Sequence, residues 1–116
     1  MDSDANRIKI IIRYCERIEE MKEVFGNNMK DFIDKMPYQY ACSFCIAQIG
    51  EQVNMLSSKL IAEYPEIHWK GIYRMRNVIS HGYEEIDIQR VWYSIDEEIP
   101  VLKETCEKIL HELERR

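Results

Sequence analysis

Glycine and proline are scarce: the 116-residue chain has four of the first and three of the second. A many-turned β fold needs more of both, so long uninterrupted helices are expected instead. Positive charge is in deficit too, with 16 Lys and Arg against 21 Asp and Glu and a formal net charge of −5. Non-specific affinity for nucleic acid rests on many Lys/Arg–phosphate contacts, so the chain as a whole is no general polyanion binder. RNA, if handled at all, must meet a local basic site. Long apolar runs are missing as well. The run "IKIIIRYC" is broken by Lys9 and Arg13 and is too short for a secretory signal, and no stretch reaches membrane-spanning length. The cytoplasm is therefore the expected compartment, where Cys15, Cys42, Cys45 and Cys106 stay reduced. What remains is 46% apolar and 32% charged, the balance of a globular chain. One domain over residues 1–116 is expected, large enough for a core without disulfide or metal staples.

Helical periodicity runs through most of the chain. Residues 4–25 carry Ile8, Ile11, Ile12, Cys15 and Ile18 at spacings of three and four, behind a cap at Ser3 or Asp4, and "GNN" at 26–28 stops them. A short amphipathic piece, "MKDFIDKM", is expected to end at Pro37. A long helix is then expected from about Tyr38 to Ala62, with Cys45, Ile49, Val53, Leu56 and Leu60 as its stripe and Tyr64-Pro65 as its end. In "EIHWKGIYRMRNVIS", Ile72, Met75 and Ile79 share one side and Gly82 closes the helix. From Asp87 the pattern is helical again, with Pro100 marking a kink or a fresh start. The expected fold is all-α: an antiparallel up-down bundle of four main helices plus a short one.

One local reversal of sign stands out. His68, Lys70, Arg74, Arg76 and His81 fall between Glu66 and Glu84-Glu85 in an otherwise acidic chain. A solvated helix face is the plain reading of such a cluster. The stretch "RNVISHGY" sharpens the case. Positions five apart stand about 140° around a regular helix, so Arg76 and His81 do not share a face if the helix runs through both. Two arrangements reunite them. The helix closes at Ser80–His81 with Gly82 left-handed and swings His81 back, or a two-fold dimer brings two copies of the segment together. The chemistry is coherent either way. Arginine grips phosphate with a planar fork, and histidine exchanges protons near neutral pH. Tyr83 adds a phenolic donor, and Asn77 an amide able to orient the histidine or a phosphate oxygen.

"RNVISHGY" resembles the R-x4-H-x-Y motif of HEPN-domain toxins, specifically the HepT-like family. "ACSFCIAQIGEQVNML" is similar to that family's A-x4-I-x2-I-G-E helix. "YPEIHWKGIYRMRNVISHGYEEIDIQRVWYSIDEEIPVLK" resembles its P-x-I-x-W…MRN…H-x-Y…W…I-P-x-L stretch, so the likeness covers roughly residues 8–110. The resemblance implies a HEPN-like helical bundle. It implies a homodimeric, metal-independent endoribonuclease that needs no cofactor and acts as the toxin of a toxin–antitoxin pair. Arg76 would hold the scissile phosphate, His81 would serve as general base or acid for attack by the RNA 2′-hydroxyl, and Asn77 would support the site. Lys70 and Arg74 would bind RNA. Products would be a 2′,3′-cyclic phosphate and a free 5′-hydroxyl. The partner it implies is a separate nucleotidyltransferase antitoxin that attaches AMP to Tyr83. A second reading is a non-catalytic helical module that binds a nucleotide or docks onto such a transferase.

Other residues are read more plainly. Cys42 and Cys45 spell C-x2-C without two further ligands at zinc spacing, and are expected as buried thiols. Trp69 is expected as a packing anchor, ahead of a base-stacking role, and His111 as a partner of its helix dipole. Glu51 is a candidate to orient Arg76 from the neighbouring helix, with a surface or structural role weighed at least equally. Trp92 and Tyr93 are expected at the core and at a dimer surface, and Tyr38 and Tyr40 are expected exposed.

Overall fold

The computed structural model describes residues 3–82 and 85–116, with the backbone alone at His81. Met1, Asp2, Tyr83 and Glu84 lie outside the described residues, as does the His81 side chain. Apolar spacing builds the first helix, α1 (Ser3–Phe25), which buries Ile8, Ile11, Cys15 and Ile18 along one stripe. Gly26 ends it at φ 119°, a left-handed conformation that side chains rarely adopt. Two residues on, the Asn28 side chain caps α2 (Met29–Asp34) by accepting the Asp31 N–H at 2.9 Å. The "GNN" signal is thus a stop followed by a start.

α2 ends before Pro37 rather than at it. Pro37 sits in the first turn of α3 (Met36–Asn54), where its missing N–H costs nothing. Tyr38 then points inward and is 0% exposed, against the expectation of an exposed ring. It stacks on Phe25 at 5.2 Å and meets Phe32 edge-on at 5.0 Å, with Trp92 close by at 6.4 Å. Tyr40 is exposed, as expected, and so is Tyr93, while Trp92 is buried.

The long helix expected over Tyr38–Ala62 is two helices. α3 stops at Asn54, and α4 (Ser58–Glu63) begins after a turn at 55–57. The Ser57 hydroxyl accepts the Leu60 N–H at 3.2 Å, while its own backbone N–H donates to Asp4 at 2.9 Å. The expected stripe is nonetheless buried in full: Cys45, Ile49, Val53, Leu56 and Leu60 all belong to the core. Replacing the cap, Ser57→Ala, is expected to lower stability by about 1–2 kcal/mol, since it also strips Asp4 of the serine hydroxyl. Urea denaturation would show this as a lower midpoint at unchanged slope.

α5 (Trp69–His81) follows, then α6 (Ile88–Tyr93), a π-helical turn over Ser94–Glu98, and α7 (Ile99–Glu114). The π turn accounts for Pro100. A proline ring clashes with the carbonyl four residues back, so the ladder widens by one residue and α7 restarts with Pro100 in its first turn. Among the described residues the fold is an all-α bundle of four main helices, with three short helices (α2, α4 and α6) where one was expected.

Cross-links give the antiparallel order. Arg7 donates to Gln52 at 3.0 Å near the start of α1, and Tyr14 meets Phe44 further along. Against α7, Glu19 accepts Lys103 at 2.9 Å while Lys9 lies near Glu114. α1 therefore sits between α3 and α7, and α5 packs on the far side of α3. No described helix is long and apolar enough to cross a membrane.

Candidate active site

α5 is anchored at its start. Trp69 is buried, and its indole N–H donates to the Tyr64 carbonyl at 3.0 Å. Its burial and that bond fit the packing anchor expected of it. From there α5 lies on α3, with Ile72, Met75 and Ile79 packed against the core as expected.

The closest approach is at Gly50. A Cβ there would stand 2.3 Å from the Arg76 Cβ, so only glycine lets the two helices meet at this point. The next residue, Glu51, pairs with the Arg76 guanidinium at 2.7 Å. The other terminal nitrogen of Arg76 donates to the Asn77 side-chain carbonyl at 2.9 Å. The Tyr73 ring lies 6.0 Å from the same guanidinium. Gly50-Glu51 on α3 and Arg76-Asn77 on α5 thus form one unit. Glu51 is the orienting carboxylate that its position suggested. Asn77 holds Arg76 directly through its oxygen and keeps its NH2 for other partners. The arginine is fixed at both ends of its fork and retains donors for a ligand.

Position 81 is elsewhere on the helix. α5 stays helical through His81, and Gly82 caps it with its N–H donating to the Val78 carbonyl at 3.2 Å. Gly82 therefore ends the helix as expected, but not in a left-handed conformation: its φ is −174°, extended backbone open to any residue. The swing of His81 back over the terminus loses its basis. By helical spacing, position 81 instead continues the stripe of Lys70, Arg74 and Asn77, about 140° from Arg76. The His81 side chain and Tyr83 themselves fall outside the described residues.

That stripe borders a shallow groove of about 570 Å³, whose α5 wall is Trp69, Lys70, Tyr73, Arg74 and Asn77 and whose far wall comes from α4 and the end of α3. Lys70 and Arg74 are exposed, and neither forms a salt bridge among the described residues. Two cations along one groove, neither in a salt bridge among the described residues, suit a backbone with a phosphate at each step. His68 stands at the N-terminus of α5 without capping it, its ring over Gly71.

The cysteines do not join this site. All four are buried and free, and burial raises their thiols, Cys42 to about 12 and Cys45 to about 11. No group of His, Cys, Asp and Glu suited to a metal occurs among the described residues. His111 lies in the last turn of α7, at the C-terminal end of the helix dipole.

Sequence reasoning missed two features. One is the part of Gly50, whose signal was a lone glycine inside an apolar helical stripe. The other is a second groove on the opposite flank of α5, lined also by Val91 and Leu102.

The family described as Ribonuclease HepT-like matches residues 11–109. The chain is 31% identical over 107 residues to "Probable ribonuclease HepT" of Thermococcus cleftensis, covering 92% of this chain and 96% of that one. It is 33% identical over 101 residues to "Putative RNase MJ1216" of Methanocaldococcus jannaschii, covering 84% of each. A further protein of that organism, "Putative RNase MJ0125", is 33% identical over 87 residues, covering 75% of each. No solved structure matches the chain with significance.

Proposed function

The chain belongs to the HepT-like ribonuclease family of HEPN proteins, and from that premise we propose that it is a homodimeric, metal-independent endoribonuclease, the toxin of a toxin–antitoxin pair working in the cytoplasm as one domain. The observation that carries the reading is the Arg76 unit. A guanidinium held by Glu51 and Asn77 beside the Lys70–Arg74 groove is set to receive one phosphate of a bound RNA. Arg76 grips the scissile phosphate and stabilises its developing charge. His81 acts as general base or acid while the 2′-hydroxyl attacks the adjacent phosphorus. The 5′-oxygen leaves with a proton, giving a 2′,3′-cyclic phosphate and a 5′-hydroxyl. Lys70 and Arg74 bind the flanking backbone.

A second copy is part of this reading because Arg76 and position 81 stand on different faces of α5. An apolar stripe leads to the site: Met36, Tyr40 and Phe44 on α3 are 47%, 52% and 57% exposed, and the same helical face continues to Glu51. Pairing two such stripes about a two-fold axis places two Arg76 units close together. The antitoxin is a separate nucleotidyltransferase that adds AMP to Tyr83. Phosphate and adenine bulk two residues from His81 repel RNA and fill its cleft.

The test is RNA cleavage in EDTA by protein made without a partner, wild type beside His81→Ala, with the product ends identified. Cyclic-phosphate ends that vanish in the variant are expected. Absence of cleavage by unmodified wild type across varied RNAs would instead leave a binding module, with Arg76 gripping a nucleotide phosphate and His81 only donating a hydrogen bond.

A further inference from the structure

α5 packs broadly on α3 and hardly touches α6 or α7. The gap is a groove of about 540 Å³ on the flank of α5 opposite the Lys70 side. Ile46 and Ile49 of α3 form its floor, with Met75 and Val78 on one wall and Val91 and Leu102 on the other. On α5 the wall runs from Gly71 to Val78, about 10 Å or two helical turns, and Ile67 and His68 extend it just before the helix. Val78, Tyr93 and Val101 stand exposed at its lips. This is the place where a bundle would seat one more helix.

The rim has the opposite sign to the RNA groove. Glu66, Asp87, Glu97 and Glu98 line it, against His68, Arg74 and Arg90. Arg90 is already committed, bridging to Glu98 at 3.0 Å and to the Ser94 hydroxyl at 2.8 Å. Burial alone would raise the Glu98 carboxyl, but hydrogen bonds from Arg90 and Ser94 outweigh it and hold it below the usual range. His68 across the groove favours its charge further. Glu66 and Glu97 form no salt bridge among the described residues. The remaining rim charge is therefore mainly negative.

We propose that this groove receives an amphipathic helix from a partner chain, with apolar residues at i, i+3, i+4 and i+7 on the floor and Lys or Arg along both edges. An apolar trough of about two turns between acidic lips matches that segment in shape and in charge. A second copy of this chain matches it poorly. It carries the same acidic rim and a net charge of −5, and its own basic helix is α5, already packed in place. The inference stands apart from the nuclease reading, because it concerns binding at another face.

The experiment uses the full chain, 15N-labelled, titrated with a synthetic Leu/Lys helix of about 18 residues whose leucines repeat at i, i+3, i+4 and i+7. Saturable shift changes confined to Ile46, Met75, Val78, Val91 and Leu102 and their neighbours are expected. The double variant Glu66→Lys with Glu97→Lys changes two exposed side chains and is expected to keep its circular dichroism while binding about tenfold more weakly. A matched Leu/Glu peptide is expected to bind weakly or not at all. Shifts centred on the Met36–Phe44 stripe, no saturable binding, or equal affinity in the double variant would overturn the proposal. So would a homodimer that Val101→Glu alone converts to monomer, since a second copy would then fill the groove. Whatever the peptide does, RNA cleavage is scored separately, so the two readings fail separately.

Discussion

RNA cleavage abolished by Arg76→Ala and by His81→Ala is expected to return when the two variant chains are mixed. The reason lies in α5. It remains helical through His81, so Arg76 is turned onto Glu51 of α3 while position 81 follows the Lys70, Arg74 and Asn77 stripe. On the proposed assignment, one chain would carry the phosphate grip and the proton carrier on different faces of α5, and a two-fold axis would bring the grip of one copy to the histidine of the other. Each variant alone is expected to lose at least about 10³-fold in rate, since both transition-state charge stabilisation and proton transfer carry weight of that order. After random reassociation about half the dimers are mixed, and each mixed dimer holds one complete site of two. Recovery to about a quarter of the wild-type rate follows. The measurement is initial rate against mixing ratio, with mixed dimers verified by two differently sized tags. Mixed dimers without recovered rate would mean that both groups act within one chain, through a displacement of the residues after Ser80.

Much of the fold was legible because the apolar spacing of α1, α5 and α7 is unbroken and each has a visible terminus: Gly26, Gly82 and the Pro100 restart. The break between α3 and α4 was hidden for a physical reason. Val53, Leu56 and Leu60 keep spacings of three and four across it, so periodicity alone continues the helix. Only the cap chemistry of Ser57, with Asp4 reaching across from α1, reveals the turn. Tyr38 was misjudged because it stands next to Pro37 at a helix start, where its side chain turns toward Phe25, Phe32 and Trp92 from three other segments. Sequence distance carries no trace of that convergence. At the site, charge reversal and motif spacing marked Arg76, Asn77, Lys70 and Arg74, and the first two proved to be joined. The groove between α5 and α7 was illegible, because it is defined by two helices failing to touch.

Gly50→Ala is expected to damage both stability and cleavage, and the pairing of the two effects is the point. A Cβ at 50 would meet the Arg76 Cβ at 2.3 Å, an atom fixed to the α5 backbone that cannot rotate away. The helices must separate. Alanine favours a helix interior over glycine by up to about 1 kcal/mol, which offsets part of an overpacking cost of about 1–3 kcal/mol. A net loss of about 1–2 kcal/mol in urea denaturation is expected. The larger effect is positional. Displacing Arg76 from Glu51 by about 1 Å is expected to lower the cleavage rate about 10²-fold at temperatures where the variant is fully folded. Gly71→Ala is the control on the same helix. Its new Cβ meets the ring of His68, an exposed side chain free to move, so stability is expected to hold or rise slightly and cleavage to stay within about twofold of wild type. If Gly50→Ala lost stability but cleaved normally, the contact at Gly50 would be packing alone, and Arg76 would not need its place against α3 to act. If the two glycine variants behaved alike, the close approach of α3 and α5 would not be what positions the arginine.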